Sequence, residues 1–275
     1  MSPIGTCKLC GQTAPLCQSH IYPDFFIWSL EREKPAGQTG LPQRFSILKS
    51  SRSDVVDGER QRGQWEKIVG LKERLLCAPC ENKFSKNEAY VRSLLYVPEA
   101  YPLRKRAIGT SALPPGTPVG KFVIDVKNVA GVDYTKLRLF QLSVLWRASV
   151  ATGSFFKNVD LGPKHEPIVR ALLIAGNPGL PTQYACAMID LQHNGDGCED
   201  FMPQPERLRD TGTNQWMYRI TLGGYLYVFH VSSEPPPPEA LFAAVKTVNE
   251  MTVTVSKAES VLQFWANTLG EAGKL

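Results

Sequence analysis

The sequence lacks any run of about 18 or more consecutive apolar residues, which excludes a membrane-spanning helix of ordinary length. Its opening, Met1 to Cys7, lacks the basic stretch and following apolar segment of a secretory signal, so a cytoplasmic protein is expected. It also lacks an even set of cysteines. There are seven, and an odd count without a secretion signal argues against a disulfide framework. Charge is modest at 21% against 43% hydrophobic residues, a balance that excludes wholesale disorder and allows a sizeable core. No internal repeat is apparent. A chain of 275 residues suits one or two domains.

What is present begins with those cysteines: Cys7, Cys10, Cys17, Cys77, Cys80, Cys186 and Cys198. Four of them form two tight pairs, Cys7-Lys8-Leu9-Cys10 and Cys77-Ala78-Pro79-Cys80. A C-x-x-C turn presents two thiolates to one ion, and two such turns complete a tetrahedral Zn²⁺ site. Neither pair lies in a thioredoxin-like strand-to-helix setting, so structural zinc is the expected reading rather than a redox dithiol. The two pairs stand 67 residues apart, which makes the intervening segment a long insertion between two knuckles. Cys17 is either a spare ligand or a small buried residue, and Cys186, in the run Tyr184 to Ile189, reads as core. His193 and Cys198 flank a Gly-Asp-Gly turn without further partners and read as loop residues.

Charge is unevenly placed. Residues 1–110 hold 17 Lys and Arg against 11 Asp and Glu, a net of +6, whereas the remainder is at −1. The excess positive charge in the first part is suited to a phosphate backbone or another polyanion.

The spacing of apolar residues and turn signals gives the organisation. Residues 7–20 read as a knuckle and short hairpin, and Pro23 starts a short helix over 24–30. Residues 35–64, rich in Gly, Ser, Gln and Arg, read as an exposed loop or loose hairpin. A helix is predicted from Cys80 to about residue 97, with Phe84, Val91 and Leu95 on one face. The prolines from Pro98 to Pro118 mark a linker and a domain boundary near residue 115. Beyond it come a strand (121–129), a buried helix (137–150) containing Trp146, and a helix (165–175) stopped at Gly176. Strands follow at 183–191, 216–222 and 225–231, the last two joined by Gly223-Gly224 as a hairpin. Pro235 to Pro238 read as a short stiff spacer, and helices are expected at 239–249 and 256–270. The expected architecture is α+β: a ββα zinc domain over 1–115 and a mixed α+β domain over 116–275.

Cys7-x-x-Cys10, Ser19-His20-Ile21-x-Pro23 and Leu76-Cys77-x-x-Cys80-Glu81 together resemble the zinc-knuckle type of HNH (His-Me finger) endonucleases. They are also similar to bacterial HNH-like proteins that carry no established function. The resemblance covers residues 7–90 and implies a treble-clef fold for the first domain. It implies His20 as general base on a water that attacks a scissile phosphate. Glu81 stands where the family places a metal-binding His, and a carboxylate suits Mg²⁺ or Mn²⁺. The knuckles would clamp the ends of the ββα unit so that base and cation ligand meet.

The pattern departs from the family at two places. Ser19 replaces the usual Asp or His, and no Asn occurs between Leu71 and Leu76. Glu73 is the alternative oxygen ligand there, and Lys72 an alternative phosphate contact. Glu88 lies seven residues beyond Glu81, about 10.5 Å along a helix, too far to share one ion. Each residue also has a structural reading. His20 is then a hydrogen-bonding or zinc-ligating residue, Glu81 a first-turn carboxylate at a helix N-terminus, and Glu88 an i,i+4 partner of Arg92. Lys164-His165-Glu166 reads as a capping and surface feature, Trp28 and Trp146 as core, and His230 carries no assigned chemistry.

Two functions follow. One is a divalent-metal-dependent endonuclease acting on DNA, with structural Zn²⁺, catalytic Mg²⁺ or Mn²⁺, and a role in bacterial defence by analogy. The other is a catalytically silent treble-clef module that binds nucleic acid or a protein partner. Neither involves a membrane.

Overall fold

The computed structural model describes residues 2–26, 71–95, 107–110, 117–119, 122–191, 202–209, 214–236, 245–246 and 250–256. The fold is mixed α+β, with a small three-stranded sheet and a larger nine-stranded one. The first sheet comprises β1 (Ile4–Thr6), β2 (Thr13–His20) and β3 (Lys72–Cys77), antiparallel in the order β1-β2-β3. Helix α1 (Ala78–Leu95) follows β3 without an intervening loop. It begins two residues before the expected start because Ala78 and Pro79 fit the first turn, where a missing N–H costs nothing.

The register between β2 and β3 slips by one residue. Cys17 faces Leu76, but Ser19 faces Glu73, so β3 carries one extra residue. Such a bulge re-aims side chains. Here Leu75 and Leu76 are both buried in succession, and Ser19 is turned fully inward. Ile21 continues the pairing, its N–H donating to the Leu71 carbonyl at 2.7 Å.

The second sheet contains β4 (Ala107–Thr110), β5 (Thr117–Val119), β6 (Phe122–Ala130), β7 (Cys186–Asp190), β8 (Glu206–Arg209), β9 (Trp216–Leu222), β10 (Tyr225–Val231), β11 (Val245–Lys246) and β12 (Glu250–Ser256). Its main path runs β4-β6-β12-β7-β10-β9-β8, with β5 on β6 and β11 on β12. All pairings are antiparallel except β12 with β7. The β9–β10 hairpin turns on Gly223 and Gly224, with φ of 55° and 79°, the left-handed pair that a two-residue turn demands.

Two expectations change here. The proline-marked linker contains β4 and β5, since Pro118 sits in a short strand paired only with β6. Part of the expected helix at 239–249 is instead the strand β11, and β12 follows it. The alternation Thr252-Val253-Thr254-Val255 has the period of a strand, and these β-branched side chains favour a pleated ladder. The segments 27–30, 35–64, 192–201 and 257–270 lie outside the described residues, as do the boundary near 115, Trp28, His193, Cys198 and the end of the Pro235–Pro238 spacer.

Helix α2 (Tyr134–Val150) is the central element. Asp133 caps it, its carboxylate accepting from the Lys136 amide at 3.0 Å. Thirteen of its residues are buried, including Trp146 and Phe140 at 0% exposure. Helix α3 (Gly162–Ala175) packs beside it and ends at Gly176 with φ 65°, a left-handed cap. One hydrophobic cluster runs from Cys7 and Leu9 through Phe84, Trp146 and Tyr218 to Met251, so the small sheet and the large one share a core. Phe26 and Phe25 pack on Phe140 with ring centroids 6.0 and 6.3 Å apart. Among the described residues no helix is long and apolar enough to cross a membrane.

The shared core makes a direct prediction. Phe140→Ala should destabilise the protein by about 3–5 kcal/mol in chemical denaturation, through lost burial and a cavity. Leu180→Ala, at a position 61% exposed, should change the midpoint little.

Candidate metal centre and the polar cluster beside it

The first pair of cysteines forms on the turn between β1 and β2. Gly11, with φ 77°, lets the chain reverse, and its N–H donates to the Cys7 carbonyl at 2.9 Å. The Cys7 amide closes the turn on the Gln12 carbonyl at 2.9 Å. Lys8 donates to the Leu75 carbonyl at 2.8 Å and so stitches the turn to β3. Contrary to the expectation that neither pair lies in a strand-to-helix setting, the second pair straddles the β3–α1 junction, Cys77 ending the strand and Cys80 lying in the first helical turn.

These two turns bring the sulfurs of Cys7, Cys10, Cys77 and Cys80 within 4.8 Å of one another. Cys10 and Cys77 Sγ are 3.8 Å apart. Zn–S bonds of about 2.3 Å in a tetrahedron place sulfurs about 3.8 Å apart, so the cluster has the right size for one ion. The four residues form no disulfide. Burial pushes the Cys7 thiol up, but N–H donation from Cys10 and Cys77 outweighs it and holds the group down at about 7. The Cys77 amide lies 3.4 Å from Cys7 Sγ. Burial raises the Cys77 and Cys80 thiols; the sulfurs of Cys7 and Cys10 add to both shifts, while Cys80 opposes the shift at Cys77. Four crowded sulfurs, one of them already served by backbone donors, are compatible with a structural metal ion that takes them as thiolates. Cys17 and His20 are not part of this cluster. Cys186 is fully buried in β7.

A second polar group lies where β2 ends. Ser19 Oγ donates to Glu81 Oε2 at 2.5 Å, joining the residue before His20 to the first turn of α1. His20 Nε2 lies 2.5 Å from Asp24 Oδ1, a close contact without hydrogen-bond geometry that becomes an ion pair only when the ring is protonated. Lys72 Nζ is 3.7 Å from the same carboxylate oxygen. Burial holds His20 below its ordinary 6.5. Asp24, Glu88 and Glu81 oppose that shift, and Lys72 reinforces it. The balance favours the neutral imidazole.

The two remaining carboxylates have different occupations. Glu73 accepts from the Thr152 amide at 2.9 Å, from Thr152 Oγ1 at 2.9 Å and from the Gly153 amide at 2.8 Å. It anchors the chain leaving α2. Glu88 pairs with Arg147 Nη2 at 2.6 Å, a partner on another helix rather than the expected Arg92. Arg147, fully buried, also donates through Nη1 to the His20 carbonyl at 2.6 Å. Of Lys164-His165-Glu166 at the start of α3, Lys164 is exposed, as expected of a surface feature, while the other two side chains have partners. Glu166 Oε1 accepts from Trp146 Nε1 at 2.8 Å, and His165 Nδ1 meets the Tyr184 hydroxyl at 3.2 Å.

Asp24 and Arg147 were not among the sequence candidates. Asp24 stands four residues after His20, and Arg147 is a charge within an apolar helix. A cation in such a place requires a partner.

The metal centre predicts one equivalent of zinc per chain by metal analysis. Cys77→Ser should lower stability by several kcal/mol, because metal binding in such sites contributes directly to folding. Folded protein without zinc would contradict the site. Comparison with protein-family models, curated proteins and solved structures finds no match, so the reading of this site rests on its own side chains.

Proposed function

We propose that the chain is a divalent-metal-dependent endonuclease of the HNH type acting on DNA, built on a treble-clef zinc module. The observation that carries this reading is the 2.5 Å contact between Ser19 and Glu81. It places the helix turn after the second cysteine pair against the strand end bearing His20, the juxtaposition a ββα hydrolase needs. The net of +6 over residues 1–110 supports attraction of a phosphate backbone.

In this reading Nε2 of His20 faces Asp24, which leaves Nδ1 to take the proton of an attacking water. The Asp24 carboxylate orients the ring and stabilises the imidazolium that results. Glu81 would hold Mg²⁺ or Mn²⁺, which would supply charge stabilisation to the phosphate and to the leaving oxygen. Ser19 would exchange its hydrogen bond to Glu81 for a neutral contact beside the cation. Lys72 stands next to the base as a phosphate contact.

A second reading, a catalytically silent module binding nucleic acid or protein, is favoured by one observation. Among the described residues the four cysteines are the only group that brings three or more metal-binding side chains together. Cleavage separates the two readings. Purified protein with Mg²⁺ or Mn²⁺ should nick plasmid DNA, and His20→Ala should lower the rate by ~100- to 10,000-fold while zinc content and DNA affinity stay unchanged. Glu81→Ala should instead raise the cation concentration required. Because burial holds His20 below its ordinary 6.5, the midpoint of the acid limb of cleavage should lie below pH 6.5. Salt-dependent DNA binding without cleavage under any divalent cation would leave the binding module.

A further inference from the structure

We propose that Arg147, near the start of the chain's second half, is a positioning residue that fixes His20 for its reaction. This rests on the hydrolase reading above for its catalytic meaning, although the contacts stand without it. The guanidinium of Arg147 is fully buried and holds three elements at once. Nη1 donates to the His20 carbonyl at 2.6 Å, and Nη2 donates to Glu88 of α1 at 2.6 Å. Nε donates to the Ser143 carbonyl of α2 at 3.3 Å, and the group lies 5.3 Å from the Phe84 ring centroid.

The position of the first contact decides its effect. His20 is the last residue of β2, and its carbonyl belongs to the peptide plane next to the Cα that bears the imidazole. The following amide, that of Ile21, is bound to the Leu71 carbonyl at 2.7 Å. That plane is therefore held from both sides, by Leu71, just before β3, through its N–H and by Arg147 through its oxygen. A guanidinium is a rigid planar fork, so the same group that fixes this plane also fixes Glu88 relative to it. Glu88 and Glu81 are on one helix, so Arg147 sets the separation of the imidazole and the Glu81 carboxylate. A shift of about 1 Å in such a pair costs roughly 100-fold in rate.

Arg147 also neutralises a carboxylate that acts on His20. The charged groups facing His20 are Asp24, Lys72, Glu81 and Glu88. With Glu88 unpaired, its negative charge favours the protonated imidazole, and the acid limb of activity moves to higher pH. The second half of the chain thus completes the site held by the first.

The test uses full-length, zinc-loaded protein and the variants Arg147→Lys, Arg147→Met and Arg147→Met with Glu88→Gln. Zinc equivalents and a cooperative melt identify folded variants. The ring signals of His20 are titrated by NMR, and plasmid nicking is followed against pH. Arg147→Lys retains a charge but loses the fork. It should lower kcat by roughly 10- to 100-fold with KM nearly unchanged. Arg147→Met should add an upward shift of the His20 titration midpoint, and Glu88→Gln in that background should reverse the shift without restoring kcat. Folded variants whose His20 titration and kcat both match the wild type would overturn the proposal. Wild-type protein that cuts no DNA would remove the hydrolase reading alone. The His20 titration would then still decide, since an unchanged midpoint in Arg147→Met defeats the positioning role and a raised one upholds the coupling.

Discussion

Four sulfur atoms gathered from two chain segments 67 residues apart are the constraint on which the rest of this structure depends. The small sheet has only three strands, and β1 is three residues long. A unit of that size has little core of its own, and a metal ion held by the four cysteines would cross-link its opening turn to the β3–α1 junction and offset much of the cost of ordering it. The placements of Glu81 and Glu88 follow from that junction. Since α1 starts at Ala78, directly after Cys77, Glu81 falls in its first turn and meets Ser19, while Glu88 falls two turns on and meets Arg147.

The link between the two halves is physical rather than a matter of chain order. Arg147 reaches the His20 carbonyl and Glu88. The amides of Thr152 and Gly153 reach Glu73. Arg170 Nε on α3 donates to the Leu9 carbonyl in the first cysteine turn at 2.6 Å, and Lys83 Nζ reaches the Ile174 carbonyl at 3.0 Å. Together with the continuous hydrophobic cluster, these bonds make α2 and α3 the bed on which the cysteine module rests. Buried ionic groups of this kind stabilise little in net terms but are costly to break singly, because the abandoned partner stays desolvated. That asymmetry suits a contact whose work is to fix geometry.

The cysteine pairs were legible in the sequence because their spacing is a local chemical signal, and so was the β9–β10 hairpin, whose Gly223-Gly224 turn dictates its register. Helix α2 was legible from its continuous apolar run, and only its first turn, capped by Asp133, extends beyond the expected start. What was hidden depends on pairing at a distance. β3 reads Lys72-Glu73-Arg74-Leu75-Leu76-Cys77, without alternation, because a bulge places two leucines inward in succession. β4 and β5 lie among prolines, and β12 alternates Thr and Val between two segments that read as helical. The candidate site divides in the same way. His20 and Glu81 stood out from motif positions, whereas Asp24 and Arg147 acquire roles only once β2, α1 and α2 are in contact. Arg147 is separated from His20 by 127 residues, a distance at which no periodicity carries information.

Zinc K-edge X-ray absorption fine structure on the purified protein tests the four-sulfur centre most directly. The expected first shell is four sulfur atoms at about 2.3 Å, with no lighter ligand. A shell containing nitrogen at about 2.0–2.1 Å would place a histidine on the ion and contradict a centre built from Cys7, Cys10, Cys77 and Cys80 alone.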